Sequence, residues 1–142
     1  MNSDGIRRVL QILVPRKRMM ENEKYPLIVY VQGSAWHKQN VYQHVGQLNY
    51  LCKQGFVVAI VQYRESDLAP FPAQIEDTKT AIRFLRKHHE EYFIDEQNVF
   101  LFGDSSGGHV ALVSGLTAKL PLFNGNLYSE YSNEVRAIID FY

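Results

Sequence analysis

Residues 99–114 read VFLFGDSSGGHVALVS, and the reading of this stretch decides the fold. Residues 99–102 are apolar or aromatic and have the length of a short buried strand. The chain then turns sharply through Gly103-Asp104-Ser105-Ser106-Gly107-Gly108, after which Val110, Ala111, Leu112 and Val113 begin an apolar helix. Ser105 is flanked two residues away on either side by glycine, between strand and helix, which is the Gly-x-Ser-x-Gly pattern of a nucleophile elbow. Such a turn forces the serine into a strained backbone conformation and pushes its hydroxyl into the open. Side chains at Gly103 and Gly107 would collide with the neighbouring strand and helix. With 9 Gly and 8 Ser in 142 residues, composition alone would produce the pattern about 0.03 times. GDSSGGH has a superficial likeness to the GDSGGP around the nucleophile of trypsin-like proteases. It carries an extra serine and no proline, and helical stretches elsewhere exclude an all-β barrel.

Outward from this stretch, strands and helices alternate. Residues 7–14 read as a strand ending at Pro15. Residues 25–31 form a β-rich run with almost no polar break, as a central strand covered on both faces requires. It ends in the small-residue loop Gln32-Gly33-Ser34-Ala35-Trp36. Residues 41–53 carry Val41, Val45, Leu48, Leu51 and Cys52 at helical spacing, and Gly55 stops that helix. Residues 56–61 are the next buried strand. Pro72 opens a helix with Ile75, Thr78, Ile82 and Leu85 on one face and Arg83, Arg86 and Lys87 on the other. Residues 119–134 read as an irregular polar and aromatic connection, and 135–142 as a last strand. Helices of crossover length between strands predict a mostly parallel sheet with helices on both faces, a three-layer αβα sandwich. Reactive groups collect at the carboxyl ends of such strands. Both unusual loops, 32–36 and 103–108, fall on that edge.

Composition bounds the function classes. The chain has the length of a single domain. Fifteen basic and fifteen acidic residues cancel, so charge makes no case for nucleic acid or an anionic membrane. The basic cluster Arg16-Lys17-Arg18 reads as a solvated turn. The single cysteine, Cys52, excludes an internal disulfide and a cysteine zinc site. It falls on the apolar side of a helix, as a buried thiol. No apolar run has signal-peptide or membrane-span length, and a soluble cytoplasmic setting is the expectation.

The segments VYVQGSAW, GFVVAIVQYR, APFPAQIEDTKTAIRFL, VFLFGDSSGGH and VRAIIDFY, spread over residues 27–142, together resemble the α/β-hydrolase family. Within it they are similar to carboxylesterases of the hormone-sensitive-lipase and feruloyl-esterase-like type. The resemblance implies an α/β-hydrolase domain over residues 1–142, the amino-terminal portion only, without the last strands. It implies a serine esterase acting on a small-molecule ester, with no metal and no organic cofactor. Ser105 is the implied nucleophile. The 32–36 loop looks like the family's His-Gly-Gly oxyanion loop, with Gln32 in place of His and Ser34 in place of the second Gly. The implied oxyanion donors are the amides of Gly33 or Ser34 and of Ser106. Asp77 reads as structural, Asp104 as orienting neighbouring loops, and Trp36 as packing at the mouth of the site.

A serine hydroxyl needs a base, and in this fold the order along the chain is Ser, then Asp or Glu, then His. After Ser105 the only histidine is His109, in the same helix, and Glu130, Glu134 and Asp140 come too early. The catalytic histidine and acid are therefore expected beyond this chain. Three readings stay open: an esterase, an amidase or formamidase built from the same parts, and a catalytically inactive remnant with an inert Ser105. His88 and His89 read as solvated. A last strand left at the sheet edge also predicts self-association.

Overall fold

A computed structural model of the protein describes residues 5, 7–16 and 22–141. Lys17, Arg18 and Tyr142, to which the sequence reading assigned a turn and a strand end, lie outside the described residues. Among the described residues eight elements follow one another: β1 (Leu10–Leu13), β2 (Tyr25–Val31), α1 (Val45–Lys53), β3 (Val57–Val61), α2 (Ala73–Lys87), β4 (Ile94–Asp104), α3 (Ser106–Leu116) and β5 (Ala137–Phe141). The sheet runs β1-β3-β2-β4-β5. Only β1 is antiparallel to its neighbour, and the other pairings are parallel.

Strand alternation sorts the apolar residues between two faces. Leu27, Val29, Val31, Val57, Ala59, Val61 and Leu101 point to one face, where Ile75, Ile82 and Leu85 of α2 and Val110 and Ala111 of α3 cover them. Tyr30, Val58 and Ile60 point to the other, under Leu48 and Cys52 of α1. The near-continuous apolar character of β2 and β3 follows, because a strand with helices on both sides has no wet face. Each fully buried Val, Leu or Ile contributes about 1.5–3 kcal/mol. Cys52 is buried, as its place on the apolar side of α1 predicts.

Two boundaries differ from the sequence reading. The first helix begins at Val45 rather than 41, because residues 41–44 form turns. Strand β4 begins at Ile94, five residues early. Pairing runs Tyr25↔Ile94 and Pro26↔Asp95, then shifts to Leu27↔Val99. Pro26 has no N–H to continue the ladder, and Asp95 ties off the extra residues by accepting the Gln97 N–H (3.1 Å) and the Asn98 side-chain amide (2.6 Å). A polar run does not advertise a strand. His88 and His89 are not simply solvated either: the His88 ring lies 4.3 Å from that of Phe84, and His89 Nδ1 donates to the Arg86 carbonyl at 2.8 Å.

Candidate active site

The carboxyl ends of β2, β3 and β4 meet at one edge of the sheet, and the two loops singled out in the sequence meet with them. Ser105 adopts φ 49°, ψ −127° between β4 and α3 and is exposed. A non-glycine residue at that positive φ costs about 1–3 kcal/mol, so the surroundings must hold it. Its N–H donates to the Phe141 carbonyl (2.8 Å) and its carbonyl accepts the His109 N–H (3.2 Å). A Cβ on Gly103 would sit closer than 3.0 Å to the Gly107 carbonyl, and one on Gly107 equally close to the backbone of Val31 and Gln32. Strand, turn and helix can approach this far only with hydrogen at both positions.

Gly33 is equally confined, since a Cβ there would lie 2.5 Å from the Asp104 carbonyl and 2.9 Å from Ser105 Cβ. Its N–H donates to Asp104 Oδ1 (3.0 Å), which also accepts the Tyr30 hydroxyl at 2.6 Å. Asp104 thus joins the 32–36 loop to the end of β4. Burial, then the hydrogen bond to Asp104, push the Tyr30 phenol well above its ordinary range. The Ser34 N–H donates to Ser106 Oγ at 2.9 Å, and the Trp36 N–H reaches the same oxygen at 3.3 Å. Ser106 begins α3, so its own N–H is among the first-turn donors that have no acceptor within the helix.

Tyr63, just past β3, supports the loop from below. Its hydroxyl donates to the Gln32 carbonyl (2.9 Å) and lies 3.0 Å from Ser34 Oγ. Burial raises the Tyr63 phenol, and the neighbouring Ser34 and Ser106 hydroxyls oppose that rise. Asp77 on α2 anchors the segment that carries Tyr63: it accepts the Arg64 N–H (2.7 Å) and Arg64 Nε (3.0 Å), while Arg64 also reaches Glu76 (3.0 Å). Burial pushes the Asp77 carboxyl up against the pull of the Arg64 guanidinium. The Ser66 N–H then donates to the Trp36 carbonyl (2.8 Å), which links this segment to the loop.

The five residues singled out besides Ser105, namely Gly33, Ser34, Ser106, Gly103 and Gly107, all fall within this one cluster. The His109 ring makes no hydrogen bond to Ser105 among the described residues; it meets the Trp36 indole edge-to-face, 5.7 Å between centroids. Beside that pair, one helical turn from Ser105, Trp36, Phe71, Gln74, Ile75, His109 and Val110 line a cavity of about 290 Å³. Tyr63 and the Ser106 side chain were missed by sequence reasoning. The one signal available for Ser106 was a hydroxyl-bearing residue directly after Ser105.

A sheet of this order, with a serine in a positive-φ turn between β4 and α3, is the α/β-hydrolase fold, shared with the esterases of known structure it superimposes on. Residues 10–142 match the BD-FAE family, and the chain belongs to it. It is 30% identical over 128 residues to esterase LipC of Mycobacterium tuberculosis, covering 89% of this chain and 32% of LipC. It is 31% identical over 142 residues to probable carboxylesterase 4, mitochondrial, of Arabidopsis thaliana, covering 88% and 38%. Among solved structures it is similar to a bifunctional GH43-CE protein of Bacteroides eggerthii (TM-score 0.80, 36% identity, 91% of this chain, 20% of the other). Propionate-bound Est2 of Thermogutta terrifontis, a thermophilic esterase, gives TM-score 0.83 at 25% identity, covering 99% and 51%. The chain therefore spans about a third of the length of the curated relatives it matches. Among the described residues no three His, Cys, Asp or Glu side chains cluster to hold a metal, and no helix is long and apolar enough to cross a membrane.

Proposed function

We propose that this chain carries the nucleophile and oxyanion side of a carboxylic ester hydrolase, with Ser105 as nucleophile. The observation that carries this is the exposed Ser105 at φ 49° beside the amide-rich 33–36 loop. Its esterase and carboxylesterase relatives support the reaction class. Ser105 Oγ adds to the ester carbonyl and gives up its proton to a base. The alcohol leaves with a proton, and water then releases the acid from the acyl-serine. The base and its orienting acid belong to sequence beyond residue 142 on this reading. The oxyanion is received at the start of α3 by the Ser106 amide. From the loop, the Gly33 and Ser34 amides are already bonded to Asp104 and Ser106, while the Ala35 N–H has no acceptor among the described residues. Donors so placed lower the barrier by about 3–4 kcal/mol each. The cavity between Trp36, Phe71 and His109 suits a small apolar or aryl group of the substrate.

The rival reading, an inert Ser105, draws on one observation: the His109 ring is packed edge-to-face against Trp36. Intact-mass labelling with a fluorophosphonate, beside Ser105→Ala, separates the two. Stoichiometric labelling lost in the variant supports an activated serine. A folded chain that takes up no label leaves it without catalysis of its own.

A further inference from the structure

The 33–36 loop makes an unusual demand on its surroundings. Ala35 and Trp36 both have positive φ, 50° and 60°, in a region where residues other than glycine are disfavoured. Two consecutive residues of this kind do not persist unless other contacts hold them. Some of those contacts are local: the His37 N–H donates to the Ser34 carbonyl (3.0 Å), and Ser34 Oγ donates to the His37 carbonyl (2.6 Å). The Trp36 carbonyl is held by Ser66. The amides on either side of Ala35 are held by one atom. Ser34 N–H and Trp36 N–H both point at Ser106 Oγ, 2.9 and 3.3 Å away, and Ser106 is only 4% exposed. That oxygen is fixed in turn, because Ser106 is buried in the first turn of α3, next to the Ser105 turn.

We infer that the Ser106 hydroxyl is a positioning residue, a latch that grips the amides flanking Ala35 and so sets the Ala35 N–H and the Ser106 N–H at a fixed separation beside Ser105. The role rests on the hydrolase reading for its purpose, but the grip itself does not. One residue thereby does two things: its main chain offers a donor at the helix start, and its side chain holds the opposite loop in register with that donor. An alanine at 106 would keep the first and lose the second. Two amides would then face a wall with no acceptor, and the disfavoured backbone at 35 and 36 would relax.

Residue-resolved amide exchange on the 142-residue chain tests the latch. In the wild type, the Ser34 and Trp36 amides should exchange slowly and the Ala35 amide fast. Ser106→Ala should speed exchange at 34 and 36 by about tenfold and leave β2 and β3 unchanged, and Ser106→Thr, which keeps the hydroxyl, should restore protection. Unprotected Ser34 and Trp36 amides in the wild type would overturn the inference with no variant needed. So would equal exchange in Ser106→Ala, or acceleration spread through β2 and β3. Phosphonate labelling supplies the functional arm: the rate at Ser105 should fall about tenfold in Ser106→Ala and recover in Ser106→Thr. If the wild type takes no label, this chain has no activated serine of its own, and exchange still decides the latch.

Discussion

Around Ser105 the decisive quantity is how closely backbone can approach backbone, and glycine sets it. At Gly103 and Gly107 the atoms in the way of a Cβ belong to main chain that β2, β4 and α3 hold in place. Gly103→Ala should therefore cost about 3 kcal/mol or more in urea denaturation. Gly46, within α1, has nothing within 4 Å of the same added atom, so Gly46→Ala should stabilise by about 0.5 kcal/mol. Similar losses from both substitutions would mean that space does not govern these positions. The requirement at 103 and 107 was legible because the pattern is local and its spacing fixed. The Ser106 oxygen was not, since its bonds to Ser34 and Trp36 cross 72 and 70 residues of chain. Nothing in a hydroxyl's immediate neighbours says which amide it will meet.

Helix α2 shows the same limit on the next scale. Its apolar stripe, Ile75, Thr78, Ile82 and Leu85, could be read from spacing, and all four are buried. Of the cations read on the other face, Lys87 is exposed and Arg86 half-buried, yet Arg83 is 1% exposed, and Lys79, which the spacing did not single out, is 0% exposed. The cause is the irregular segment after α3, whose carbonyls need donors that no strand or helix supplies. Lys79 Nζ donates to the carbonyls of Thr117 (2.9 Å) and Leu122 (2.8 Å) and to Asn124 Oδ1 (3.1 Å). Arg83 donates to the Leu127 carbonyl (2.9 Å), Asn133 Oδ1 (2.7 Å) and the Asn124 carbonyl. Burial lowers both cations from their ordinary range. The charges are retained because each long side chain satisfies several oxygens at once. Arg83→Met should cost about 2–4 kcal/mol, since it strands several buried acceptors. It should also open residues 118–133 to limited proteolysis. Arg83→Lys should not restore resistance, because an ammonium cannot reproduce the planar fork. A variant as resistant as wild type would show that the segment holds itself.

Over the whole molecule, the order β1-β3-β2-β4-β5 leaves the two ends of the sheet in different conditions. At one end β1 is four residues long and antiparallel, with all four half-buried, a short edge of the kind that resists further pairing. At the other end β5 pairs with β4 on one side only among the described residues. Beside an exposed Asp140 it presents apolar side chains: Phe141 is 66% exposed and Ile139 42%, and Leu116 of α3 is also exposed. Unpaired strand backbone beside exposed apolar side chains is a template for another strand. Ser105 is tied to this edge directly, through its N–H to the Phe141 carbonyl. Whatever pairs with β5 therefore lies one hydrogen bond from the candidate nucleophile. The expected behaviour of the isolated chain is concentration-dependent self-association at micromolar levels and above, read by sedimentation velocity. Ile139→Lys should shift it toward monomer by placing a charge on the edge while leaving the Phe141 carbonyl free to hold Ser105. A wild-type chain that sediments as a monomer throughout that range would show that β5 is not a pairing edge.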